Sequence, residues 1–130
     1  MATTGYLIYT NTAIDYIGET MPQSGLAFMD NIIDKEYSIS VISHIELYAY
    51  SKLSEKDKET LDIFTGQASV LNINDDIIEQ TIELRKTYKT KLPDAIIAAT
   101  ALVYGLTLIS HNTKDFKNIT GIKVVDPYNL

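Results

Sequence analysis

The chain has no cysteine, which removes disulfides and thiolate metal sites together. That fits a reducing interior without proving one, because exported proteins can also lack cysteine. No apolar run approaches the ~18 residues of a membrane span, so no membrane association is expected. The opening Met1-Ala2-Thr3-Thr4-Gly5 has neither a basic segment nor a long apolar core. No secretory leader is therefore expected, and the expected compartment is the cytoplasm. A basic surplus is missing too, since 11 Lys and Arg against 17 Asp and Glu leave a net charge of −6. Nonspecific grip on phosphate normally comes from excess Lys and Arg, so a simple nucleic-acid coat is disfavoured. There is no P-loop and no G-x-G-x-x-G, so nucleotide binding has no motif support. Without a G-x-S-x-G elbow, a Ser-His-Asp hydrolase is disfavoured as well.

The 130 residues, 45% hydrophobic and 22% charged, have the size and balance of one globular domain, here spanning 1–130. Such a chain can bury about two-thirds of its unfolded surface, enough for a core without staples. Strand-like runs fall at 6–9, 38–42, 68–73, 106–109 and 122–125. Helical spacing marks 12–17, 25–35, 54–64, 75–89 and 93–104. A capping-box pattern, Ser43-His44-Ile45-Glu46, predicts a helix from Ser43 to about Leu53, and Asn112–Asp115 starts a short one. Strands alternating with helices predict an α/β domain with a mostly parallel sheet of about five strands and helices on both faces.

The densest signal is Leu92-Pro93-Asp94-Ala95-Ile96-Ile97-Ala98-Ala99-Thr100-Ala101-Leu102. Pro93 suits a first helical turn, and Asp94 beside it is favoured by the helix dipole. The residues that follow are apolar or small apart from Thr100, as in a buried helix. The plain reading is an acidic residue near a cap. The sharper reading, a metal ligand or catalytic acid, needs partners.

In open α/β sheets, sites form beyond the carboxyl ends of the strands. Tyr9, Glu46, Asp94 and Asp115 all occupy such junctions, and three of them are carboxylates. Glu46 and Asp115 also sit third after possible caps, Ser43 and Asn112, so capping-box acids are the plain alternative. Together, carboxylates of this kind could hold Mg²⁺ or Mn²⁺, which prefer hard oxygen ligands and keep several waters. Such an ion can activate a water for attack on a phosphodiester.

Four segments in order, Tyr6-Leu7-Ile8-Tyr9-Thr10-Asn11, Ile42-Ser43-His44-Ile45-Glu46-Leu47, Leu92–Ala99 and Leu108–Phe116, span nearly the whole chain. Together they resemble PIN-domain proteins of the VapC type, the toxin half of a toxin–antitoxin pair. The resemblance implies a three-layer α/β/α PIN-like domain. It also implies a Mg²⁺- or Mn²⁺-dependent endoribonuclease acting on structured RNA such as tRNA, a homodimer, and a cognate antitoxin as partner. Carried over by position, it makes Glu46, Asp94 and Asp115 the metal-binding and catalytic acids. Asn112 is an alternative fourth site position, and Asn11 and Ser110 are supporting residues.

The chain departs from that family at its first acid, where the pattern Asp-Thr-Asn is here Tyr9-Thr10-Asn11. A phenol, with a reference pKa of ~10, is neither an anion at neutral pH nor a good Mg²⁺ ligand. Weak or absent metal binding and little nuclease activity are therefore expected. Tyr9 is either a natural change in a member kept for binding, or a loss-of-function change acquired in a host poisoned by the nuclease. A single base separates the Asp and Tyr codons, which favours the second. The contrasting function class is a noncatalytic PIN domain that acts by binding antitoxin or RNA.

Arg85, Lys86, Lys89 and Lys91 form the one basic cluster. They serve equally well as helix-ending cations or as an RNA-contacting strip. His44 and His111 adjoin the motif acids without a zinc spacing. The apolar faces of the early helices read as core, although the resemblance also makes them part of an antitoxin groove.

Overall fold

A computed structural model of the chain describes residues 5–50 and 52–130. Met1–Thr4, where a leader was considered, lie outside the described residues, as does Ser51. Along the chain run β1 (Tyr6–Ile8), α1 (Thr10–Ile17), α2 (Gln23–Ile33), β2 (Ser38–Ser40), α3 (Val41–Ala49) and α4 (Glu55–Gln67). Then follow β3 (Ser69–Leu71), α5 (Asp75–Thr87), α6 (Leu92–Tyr104), β4 (Thr107–Ile109), a 3₁₀ turn (Thr113–Asp115) and β5 (Lys123–Val125).

The five strands form one sheet in the order β3-β2-β1-β4-β5. Every pairing is parallel, with Leu7 opposite both Ser38 and Leu108. Successive strand residues face opposite sides of a sheet. Ile8, Ile39 and Ile109 accordingly enter one buried cluster with Ala13, Met29, Leu47, Leu61 and Phe64. Leu7 and Leu108 enter the other with Ile77, Leu84, Ile97, Ala98 and Phe116. Helices α1, α2 and α4 thus cover one face and α5 and α6 the other, giving the three-layer α/β/α arrangement.

Local chemistry explains the boundaries. α6 has Pro93 in its first turn and ends at Gly105, whose φ of 66° is the left-handed conformation glycine adopts freely. α5 is capped by Asn74, which accepts from the Ile77 N–H at 2.9 Å, and has Asp75 and Asp76 at its start and Arg85 and Lys86 at its end.

Several expected boundaries shift. The cap of α3 is Ser40, whose Oγ accepts from the Ile42 N–H. β2 therefore stops at Ser40, and Val41 and Ile42 turn helical despite their strand propensity. Ser43 lies inside the helix and is not its cap, and α3 ends at Ala49 rather than near Leu53. α1 begins at Thr10, directly after β1, and not at Thr12.

Candidate functional site

The sheet order reverses between β1 and β4, and crevices form at such switch points beyond the strand ends. Tyr9 and Thr10 leave β1 there, Ser110 and Asn112 follow β4, and α3 and α6 bring Glu46 and Asp94 to the same edge.

Tyr9 is only 6% exposed. Its ring meets Phe116 edge-on, with centroids 5.1 Å apart and planes at 74°. Its hydroxyl donates to Asp94 Oδ1 at 3.0 Å. Burial is the main cause that pushes the phenol's pKa well above its ordinary value, and the charge and hydrogen bond of Asp94 add to it. At neutral pH Tyr9 is thus a neutral donor.

Asp94 is half-buried, and that burial raises its carboxyl above the usual range. The Tyr9 hydroxyl opposes the rise, as does Lys91, while the charges of Asp115 and Glu46 reinforce it. A carboxyl raised in this way binds more protons in the fold than in the unfolded chain. Its ionisation therefore weakens the fold as pH climbs from the ordinary Asp value through the raised one.

On the other side of the strand end, Thr10 and Ser43 are both buried. Thr10 Oγ1 lies 2.8 Å from Ser43 Oγ and 2.7 Å from Glu46 Oε1. A carboxylate only accepts, and Thr10 has one hydroxyl proton. The chain of bonds therefore runs from Ser43 through Thr10 to Glu46, which is held as an oriented acceptor.

Asp115 is exposed, and its Oδ2 accepts from the Asn112 side-chain amide at 2.6 Å. Ser110 is fully buried and accepts from the Asn112 backbone N–H at 3.0 Å, which fixes the turn carrying both residues. Asn11 is exposed and lines a neighbouring cleft with Asn112 and His111. Of the basic residues, Lys91 acts electrostatically on Asp94. Arg85 and Lys86 border a separate shallow depression with Ile82 and Leu92, and Lys89 is exposed beyond the end of α5.

Among the described residues, no three His, Asp or Glu side chains are arranged to hold a metal ion. One oxygen of each acid is hydrogen-bonded within the chain: Asp94 Oδ1 to the Tyr9 hydroxyl, Glu46 Oε1 to Thr10, and Asp115 Oδ2 to Asn112. As folded, the acids of the described residues are thus not grouped as a metal-holding set.

Two positioning residues, Thr10 and Ser43, were not picked out from the sequence. Thr10 lay within the Tyr9-Thr10-Asn11 motif. Ser43 carries the sequence pattern of a cap, which a buried hydroxyl shares.

The PIN domain family matches residues 6–122. The chain belongs to the PIN-domain family. A chain of a toxin–antitoxin complex from Klebsiella pneumoniae is 35% identical with a TM-score of 0.77, the match covering 97% of this chain and 100% of that one. A chain of VapBC2 from Rickettsia felis, bound to a promoter DNA fragment, is 26% identical with a TM-score of 0.77 and coverage of 93% and 97%. A chain of DNA-bound VapBC from Salmonella typhimurium is 26% identical with a TM-score of 0.75 and coverage of 96% and 99%. A comparison with curated proteins gave no match. Motifs and structural likeness agree on the VapC type of PIN domain, and the resemblance now rests on the whole fold.

Proposed function

We propose that this PIN domain is the toxin-type member of a toxin–antitoxin pair, on an endoribonuclease scaffold for structured RNA such as tRNA, with its metal centre disabled by Tyr9. The observation that carries the reading is the Tyr9–Asp94 hydrogen bond of 3.0 Å. The phenol sits where the family pattern has an acid and supplies a proton donor to Asp94 in place of a cation. Two carboxylates that would repel each other and draw in a metal become one carboxylate with a neutral partner. The likeness to chains from toxin–antitoxin complexes supports a cognate antitoxin as partner. A homodimer and a cytoplasmic location complete the reading.

In this chain Glu46, Asp94 and Asp115 still present carboxylates to one edge, and Lys91 offers a cation beside them. A divalent ion, where a chain of this family binds one, supplies charge stabilisation and an activated water. Here one oxygen of each residue that would hold it is hydrogen-bonded to Thr10, Tyr9 or Asn112.

The test compares cleavage of a tRNA pool by this chain and by Tyr9→Asp, each with Mg²⁺ or Mn²⁺, together with host growth after induction. The variant is expected to cleave and to arrest growth, and the unchanged chain to do neither. Equal cleavage by the two forms would refute the disabled centre. A second reading, binding without catalysis, is favoured by the completeness of the Tyr9–Asp94–Phe116 packing. Persistent inactivity of Tyr9→Asp under both metals would select it.

A further inference from the structure

A cleft of about 760 Å³ lies beside the acid cluster and is used by nothing described so far. We propose that it is a nucleobase subsite, which seats one unpaired base of an RNA strand against His111 while Lys114 meets the adjoining phosphate. The proposal rests on the RNA reading above.

The cleft and the acid cluster share a residue. Asn112 lines the cleft and gives its side-chain amide to Asp115, and Asn11 enters the cleft two positions after Tyr9. Asn112 thus joins the two, so a nucleotide held in the cleft lies beside the acid cluster. The volume falls within the usual range for small-ligand pockets, about 300–1,000 Å³.

His111 is built as a fixed platform. Its ring stacks on Tyr128, with centroids 3.9 Å apart and planes at 26°. Its Nδ1 sits 3.1 and 3.2 Å from the two oxygens of Asp126, and its backbone N–H donates to Thr12 Oγ1. One face is thus covered, yet the side chain stays 52% exposed. A ring already immobilised loses little freedom when a base stacks on its open side, and stacking on aromatic side chains is how unpaired RNA bases are commonly held.

The two carboxylates of the cleft are turned to partners within the chain. Asp126 is occupied by His111, the Tyr128 N–H and the Asn129 amide, and Asp15 accepts from the Tyr128 hydroxyl. Among the described residues, the side chains of Asn11 and Lys114 enter no hydrogen bond or ion pair, and both line the cleft. An amide that can both donate and accept suits a base edge, and a free ammonium suits a phosphate.

The test measures binding of fluorescein-labelled oligo(U) and oligo(A) RNA hexamers to the full chain by anisotropy. Unchanged chain, His111→Ala, His111→Phe and Lys114→Ala are compared across a salt series. His111→Ala is expected to weaken binding roughly 5- to 100-fold, and His111→Phe to recover most of it, because stacking needs only an aromatic face. Lys114→Ala is expected to lower the salt slope by about 1. A parallel NMR titration with uridine 5′-monophosphate is expected to shift the His111 ring signals and leave those of His44 in place.

Unchanged affinity in His111→Ala, with loss in Arg85→Ala or Lys86→Ala, would place the strand on the α5 end and overturn the subsite alone. Failure of every form to bind RNA would overturn the RNA reading and the subsite together. His111 signals that respond to an arginine-containing peptide but not to the nucleotide would reassign the cleft to a protein side chain.

Discussion

Tyr9 and Thr10 are neighbours in sequence, yet they serve opposite corners of one sheet edge. Tyr9 turns toward the α6 side, packs on Phe116 and gives its proton to Asp94. Thr10 turns toward α3 and, with Ser43 behind it, holds Glu46. The Thr10 corner holds its acid by hydroxyls. The Tyr9 corner satisfies its acid with a bulky neutral donor. On the reading proposed above, one side chain closes a cation's place while the rest of the scaffold stays assembled.

The contrast can be broken from either side. Tyr9→Phe keeps the ring against Phe116 and removes only the hydroxyl, leaving Asp94 half-buried without that donor. It should lower stability in chemical denaturation by about 1–3 kcal/mol. A loss near zero would mean that water replaces the phenol and that the hydrogen bond does not organise this corner. Ser43→Ala acts on the other corner, where the donor to Thr10 disappears but the Thr10–Glu46 bond can persist. The expected cost is smaller, about 0.5–1.5 kcal/mol. A larger cost than that of Tyr9→Phe would reverse the ranking of the two corners.

Much of the fold was legible because its signals are local. Pro93 and Gly105 bracket α6, and Ile39 and Val70 mark strands that pair in register. The strands are only three residues long, so their ends were harder to place. The capping-box pattern points to Ser43 as the start of α3, whereas Ser40 is its cap. Only the packed structure, with Ser43 buried against Thr10 thirty-three positions earlier, separates the cap from the interior hydroxyl.

Candidate acids were legible from their place at strand-to-helix junctions. Their partners were not, since Tyr9–Asp94 and Thr10–Glu46 span 85 and 36 positions. The His111 platform depends on Asp126 and Tyr128, which follow β5 and carry no motif.

The most direct measurement follows the melting temperature of this chain and of Tyr9→Asp as Mn²⁺ is added. Without the ion, Tyr9→Asp should melt lower, because it loses a buried ring and gains a second carboxylate beside Asp94. As Mn²⁺ rises, the variant should gain stability with concentration by mass action, while the unchanged chain stays flat. An equal rise in the unchanged chain would show that Tyr9 leaves the ion's place open, and would contradict the account of Tyr9 as the residue that closes it.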